Sequence, residues 1–171
     1  MARKSKAFGE ILKQQRAEKT HEKELEKLQQ KLQKGPWGDK VAGTVTNPKG
    51  EAKMSEVLEE FVEPYLSSIE TPVERKKLFE VAVVAWNLSL MPETVRQTMI
   101  DKLIQESMEG ADPWIKQDMR KMIDELIARK QKFFTQHKRY VIDFQLEDTG
   151  SGFHLSVAST LSNPFAPDSA D

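Results

Sequence analysis

After His137 the spacing of apolar residues changes from the 3.6 of a helix to the 2 of a strand, and no other feature narrows the fold as sharply. Tyr140, Ile142, Phe144 and Leu146 alternate with Val141, Asp143, Gln145 and Glu147, then Asp148-Thr149-Gly150-Ser151-Gly152 supplies a turn. Phe153, Leu155 and Val157 then alternate with His154, Ser156 and Ala158, which predicts a β-hairpin with one apolar face. A lone hairpin is marginal in water, so it must cover a helix, recruit a third strand or add to a partner's sheet.

Upstream of that switch, caps and prolines cut the chain into four helical segments. Ser55 is a good N-cap for a helix burying Val57, Leu58, Phe61, Val62, Tyr65, Leu66 and Ile69, with Pro64 off the stripe and expected to kink or end it. Thr71-Pro72-Val73-Glu74 combines an N-cap, a proline in the first turn and a capping-box glutamate. The helix it opens is apolar on nearly every side from Leu78 to Leu90, which places it centrally. Pro92 starts the next, with Val95, Met99, Leu103 and Ile104 expected inward and Gly110 closing it. Asp112-Pro113 opens the last, with Ile115, Met119, Met122, Ile123, Leu126, Phe133 and Phe134 on one face.

The charge is dealt unevenly along this pattern. Residues 1–34 hold ten Lys or Arg against five Glu, while the rest of the chain has sixteen basic and twenty-two acidic groups. A basic arm therefore precedes an acidic, hydrophobically patterned body, which reads as a tether plus a folded unit. From Lys4 to Gln33 the residues are strong helix formers. Leu25, Leu28 and Leu32 follow an a/d pattern with Ile11 in register, but Gln14, Glu18 and His21 interrupt it, so only the second half can pair with a partner helix. Gly35-Pro36 ends the arm, and residues 35–53 read as a linker carrying Trp37 and the β-prone run Val41 to Val45, either of which could dock on the body. The expected organisation is an arm at 1–34, a linker at 35–53, a helical domain ending in a hairpin at 54–160 and a frayed tail at 161–171. The fold class is mainly α: a four-helix bundle-like domain with a C-terminal β-hairpin, behind an extended N-terminal charged helix.

The residues that carry chemistry are sparse. There is no cysteine, which excludes disulfides, thiolate metal sites and thiol nucleophiles. His21, His137 and His154 have no carboxylates at metal-ligand spacing, so neither a metal nor a cofactor is expected. Gly150-Ser151-Gly152 lacks the strand–turn–helix context of a nucleophile elbow, because Thr149 stands where a glycine is needed and a second strand follows. Phosphate-loop and dinucleotide fingerprints are absent. The acids Glu59, Glu60, Glu63, Asp101, Glu106, Asp118, Asp124 and Glu125 fall on polar helix faces. Asn87, inside the most apolar helix, is a buried amide that must find partners.

Two basic stretches could meet nucleic acid. One is the arm, through Arg3, Lys4, Lys6, Lys13, Arg16 and Lys19; its net +5 allows only modest, salt-sensitive phosphate binding. The other runs from Arg129 to Arg139, but Phe133 and Phe134 on the core stripe are not expected to be free for stacking. No apolar run reaches the length of a membrane span and no apolar segment follows the basic start, so the expected location is the cytoplasm.

The run from Met54 to Trp86, its continuation into the helix after Pro113, and the ending Phe153-His154-Leu155-Ser156-Val157-Ala158-Ser159-Thr160 together resemble a group of small uncharacterised bacterial proteins of similar length. That resemblance spans arm, linker and body. That group has no established activity, so the resemblance implies a bacterial cytosolic origin, nothing about chemistry, and no functional residue to carry over. The expectation is a non-catalytic interaction or accessory protein that binds a protein partner or itself. Contacts are expected at Leu25, Leu28, Leu32 and Trp37 and along the hairpin's open edge. The alternatives are an RNA- or DNA-associated accessory protein using the basic arm, and an enzyme with a site near Trp37 and Asn87.

Overall fold

The computed structural model describes residues 49–164 together with Lys23, Glu26, Lys27, Gln30 and Lys34, five exposed positions with helical backbone. Within residues 49–164 there are four helices and one antiparallel hairpin: α1 (Met54–Leu66), α2 (Pro72–Ser89), α3 (Glu93–Ser107), α4 (Pro113–Phe133), β1 (Val141–Asp148) and β2 (Phe153–Ser159). The protein is mainly helical, and the change of period past His137 marks the switch to strands.

The capping box at the start of α2 is complete. The Glu74 N–H donates to Thr71 Oγ1 at 3.2 Å, and Glu74 Oε2 accepts from the N–H groups of Thr71 and Glu70 at 3.1 Å each. Those backbone donors hold the Glu74 carboxyl below the usual carboxylate range. At the start of α1 the cap differs from expectation. The helix begins at Met54, whose side chain is buried; Lys53 is the cap without a side-chain bond, and Ser55 lies buried inside the first turn. Pro64 stands within α1, which ends two residues later. Asp112 likewise makes no side-chain cap.

The core forms where α1, α2 and α4 meet. Phe61, Trp86 and Phe134 pack edge to face, with ring centroids 5.3 Å apart for Phe61–Trp86, 5.5 Å for Phe61–Phe134 and 6.1 Å for Trp86–Phe134. Leu58, Val62, Phe79, Ala82, Ala85, Ile100, Ile123 and Leu126 are buried around them.

Two faces are rotated from their expected orientation. On α3 the inward residues are Arg96, Ile100 and Ile104; Val95 is 48% exposed and Met99 42%. The cause is Arg96, whose guanidinium closes the C-terminal end of α2. Its Nε donates to the Leu88 carbonyl at 3.1 Å, Nη2 to the Met91 carbonyl at 3.0 Å and Nη1 to Glu93 at 2.7 Å. With its oxygen turned inward, the Gln131 amide of α4 accepts from Nη1 and Nη2 as well, at 3.0 and 3.3 Å. On α4 the buried positions are Ile123, Leu126, Ile127 and Lys130, followed by Phe134 at the C-cap. Met122 and Phe133 face solvent instead of the core.

The hairpin covers α2 on its apolar side. Phe144, Leu146 and Asp148 stand opposite Val157, Leu155 and Phe153, and Phe79 packs on Phe144 and Phe153 at 6.1 and 5.6 Å. A register shift between Val141 and Asp143 breaks the expected alternation, so Val141 is the buried residue at the strand's start while Tyr140 and Ile142 are half-buried. Gly150 takes φ +79°, the left-handed conformation the turn demands, and the Thr149 N–H donates to the Gly152 carbonyl at 3.0 Å. Among the described residues no helix is long and apolar enough to cross a membrane.

Candidate functional site

Among the described residues the hairpin is held at its base by side chains rather than by a third strand. Asn87 presents its amide edge-on to Val141. Nδ2 donates to the Val141 carbonyl at 2.8 Å, and Oδ1 accepts the Val141 N–H at 2.9 Å. One turn of helix thus substitutes for a neighbouring strand at that position. This is how the buried amide is satisfied, and it leaves Asn87 a structural residue.

Beyond the bulge the edge of β1 is differently placed. The Thr149–Gly152 bond sets the alternation of the ladder, so Asp143, Gln145 and Glu147 direct their peptide groups to β2. The peptide groups of Phe144, Leu146 and Asp148 then point away from β2. The Phe144 N–H is met by its neighbour, the Asp143 carboxylate, at 2.8 Å. Among the described residues no strand pairs with this second edge, since the sheet has the order β1–β2. The edge is short, kinked by the bulge and bordered by Asp143, Glu147 and Asp148. Those are devices that discourage indiscriminate strand pairing. Asp148 is anchored to α2 by Arg75 at 2.9 Å, whose guanidinium also lies 5.1 Å from the Phe153 ring centroid.

A second cluster gathers where α4 runs into the hairpin. Lys130 is only 3% exposed, yet it carries an ammonium group. Its Nζ donates to the Phe134 carbonyl at 2.8 Å and lies 4.5 Å from the Trp86 ring centroid. Burial, with Lys138 nearby, lowers its pKa from the ordinary lysine value to about 8. His137 stacks loosely on Trp86 and Phe134, with centroids 6.5 and 6.4 Å away. Burial pushes its pKa down, helped by Lys130 and Arg139 and opposed by Glu60 and Glu51. Arg139 is a strut: Nε donates to the Thr160 carbonyl at 2.8 Å, and Nη1 to the Ala52 carbonyl at 3.2 Å. The Trp86 indole N–H donates to the Arg139 carbonyl at 2.9 Å. On the outer side of the same turn, Phe133 is 54% exposed, with the Arg129 guanidinium 5.4 Å and Lys132 Nζ 5.0 Å from its centroid.

Between α3 and α4, Asp101, Gln105, Lys116 and Arg120 line an open groove of about 420 Å³. Arg120 is held there by Asp101, by Gln97 at 2.7 Å and by Asp124 at 3.8 Å, so its charge is compensated within the protein. Among the described residues no three His, Asp or Glu side chains gather as a metal cluster would require.

Of the residues singled out from the sequence, Leu25, Leu28, Leu32 and Trp37 lie outside the described residues, as do Arg3, Lys4, Lys6, Lys13, Arg16 and Lys19. The interior cations Arg96, Lys130 and Arg139 were not legible as such. The available signal was weak: each sits one helical step or one register position from an apolar stripe, where a long stem can bury and its head can reach backbone carbonyls.

Comparison with known proteins returns no match: no family model fits the chain, and neither a curated protein nor a solved structure is similar to it.

Proposed function

We propose that the protein is a non-catalytic interaction or accessory protein. Its bundle-like helical body is the docking unit, and an extended N-terminal helix, residues 4–33, is the tether. The observation that carries this reading is the β1 edge. Its apolar face is locked onto α2 through Phe79, its first position is occupied by Asn87, and its outward peptide groups at Leu146 and Asp148 have no strand beside them among the described residues. Strand addition supplies main-chain hydrogen bonds at little reorganisation, and alternating side chains set which partner is accepted. The acids at Asp143 and Glu147, on one face of the strand, favour an extended segment carrying Lys or Arg at alternate positions. The Leu25–Leu28–Leu32 seam is the contact proposed for the tether.

Leu146→Pro tests the edge directly. Proline removes the outward N–H while sparing the bonds to β2, and an edge strand tolerates it. Captured partners identified by cross-linking, or concentration-dependent mass in sedimentation, should be lost in this variant with the helical circular dichroism unchanged. Retention of both would discard the edge. Leu25→Asp combined with Leu28→Asp examines the tether by the same two measurements.

A further inference from the structure

We infer that the exposed surface where α4 ends binds single-stranded nucleic acid, with Phe133 as a stacking platform, Lys132 as the phosphate contact beside it and Lys138, in the coil beyond the helix, as a second. This stands apart from the strand-docking reading and uses a different surface.

From Arg129 to Tyr140 the chain carries Arg129, Lys130, Lys132, Lys138 and Arg139 and no acidic residue. The structure sorts these cations by duty. Lys130 is buried beneath Trp86, and Arg139 bridges two backbone carbonyls, so both belong to the framework. Lys132 and Lys138 are exposed. Arg129 is intermediate: Nε and Nη2 donate to the carbonyls of Phe61 and Glu60 at 3.0 and 3.2 Å, which fixes the guanidinium beside the Phe133 ring.

The decisive feature is Phe133. It is the last residue of α4 and is 54% exposed, while Phe134 at the C-cap turns into the core and is 3% exposed. Phe133 instead stands in solvent between one anchored cation and one free to move. Lys132 can leave the ring when a base arrives and meet the adjoining phosphate, while Arg129 stays and adds its own planar contact. A single exposed ring can stack only on an unstacked base, so the ligand is single-stranded and not duplex. Two lysines engage few phosphates, so the affinity is modest. The log–log salt slope should be about −1.4, from roughly 0.7 per neutralised phosphate of a single strand.

The experiment is fluorescence anisotropy of labelled twelve-nucleotide oligo(U) and oligo(dT) with the full chain across 20 to 200 mM KCl, using a duplex of the same length as competitor. The proposal expects binding of both single strands, weak competition by the duplex, and about tenfold weaker binding by Phe133→Ala. Phe133→Trp should restore it. Lys132→Glu with Lys138→Glu should flatten the salt slope. These side chains are exposed, so the variants fold, which circular dichroism verifies. Charge reversal at Lys4, Lys6, Lys13 and Arg16 controls for the arm. Absence of binding at 20 mM KCl, or binding that Phe133→Ala leaves unchanged, overturns the proposal. Equal competition by the duplex does so too, because it would leave only unspecific attraction of charge.

Discussion

Lys130 makes folding stability depend on pH in a direction opposite to that of a paired surface lysine. The residue is 3% exposed and its pKa is about 8 in the folded protein, against 10.5 when unfolded. Between those two values the unfolded chain binds more protons than the folded one, so stability climbs as pH rises. Linkage puts the cost of keeping the buried group charged at about 3 kcal/mol at pH 7. Between pH 8 and 9.5 about 1.5 kcal/mol of that should be recovered, which is several degrees in Tm for a body of this size. The window stops short of pH 10 because burial raises the pKa of Tyr65, whose contribution falls at higher pH. Lys130→Met preserves the stem over Trp86 and removes the charge. The Phe134 carbonyl keeps the His137 N–H at 3.1 Å as a partner, so the variant loses one hydrogen bond, about 1 kcal/mol. It should therefore be more stable than the parent by about 2 kcal/mol at pH 7, and the gain should shrink to a few tenths by pH 9.5. Urea unfolding at 25 °C, followed by circular dichroism at half-unit pH steps, measures both curves; unchanged m-values would license the comparison. A parent curve flat from pH 8 to 9.5 would refute the reasoning, and so would a Lys130→Met curve with the parent's slope.

Asn87→Leu fits the same space but orphans the Val141 N–H and carbonyl, so it should cost about 2–4 kcal/mol and release the exchange protection of the hairpin amides before that of α2. Hydrogen exchange read by mass spectrometry distinguishes this from uniform destabilisation. The folded-state pKa of His137 is lowered by burial, so its contribution is intact above about pH 6.5 and lost as pH falls through the folded value. His137→Gln should flatten the acid limb of the stability curve between pH 6.5 and 5, measured by thermal unfolding.

The elements with punctuation in their residues were legible. Thr71-Pro72-Val73-Glu74 specifies its own cap through local bonds, and the turn at Thr149–Gly152 needs a left-handed residue that Gly150 supplies. Facing was legible only where apolar residues alone decide it. On α3, apolarity points to Val95 and Met99, yet the Leu88 and Met91 carbonyls at the end of α2 take the Arg96 guanidinium and hold that face of the helix inward. That competition involves residues eight apart in different helices, and no periodicity encodes it. The bulge at Val141 has the same origin, because the Asn87 amide 54 residues earlier holds the strand's first peptide and shifts the register behind it. Phe133 and Phe134 are identical in composition and opposite in fate, since the helix ends between them. The open edge of β1 was visible as an alternating run, but which of its peptides face outward depends on the turn bond at Thr149.

The Arg139 strut has a consequence for how the body can be connected to anything else. One guanidinium grips the Ala52 carbonyl and the Thr160 carbonyl, so the place where the chain enters the helical body and the place where it leaves are separated by the width of a single side chain. Termini so close allow circular permutation and insertion into a host loop. A short glycine–serine bridge from residue 161 to residue 51, with a new opening at Gly110, would preserve every contact described for the core. Both ends of the described body are thereby tied to one arginine, on one side of the helices.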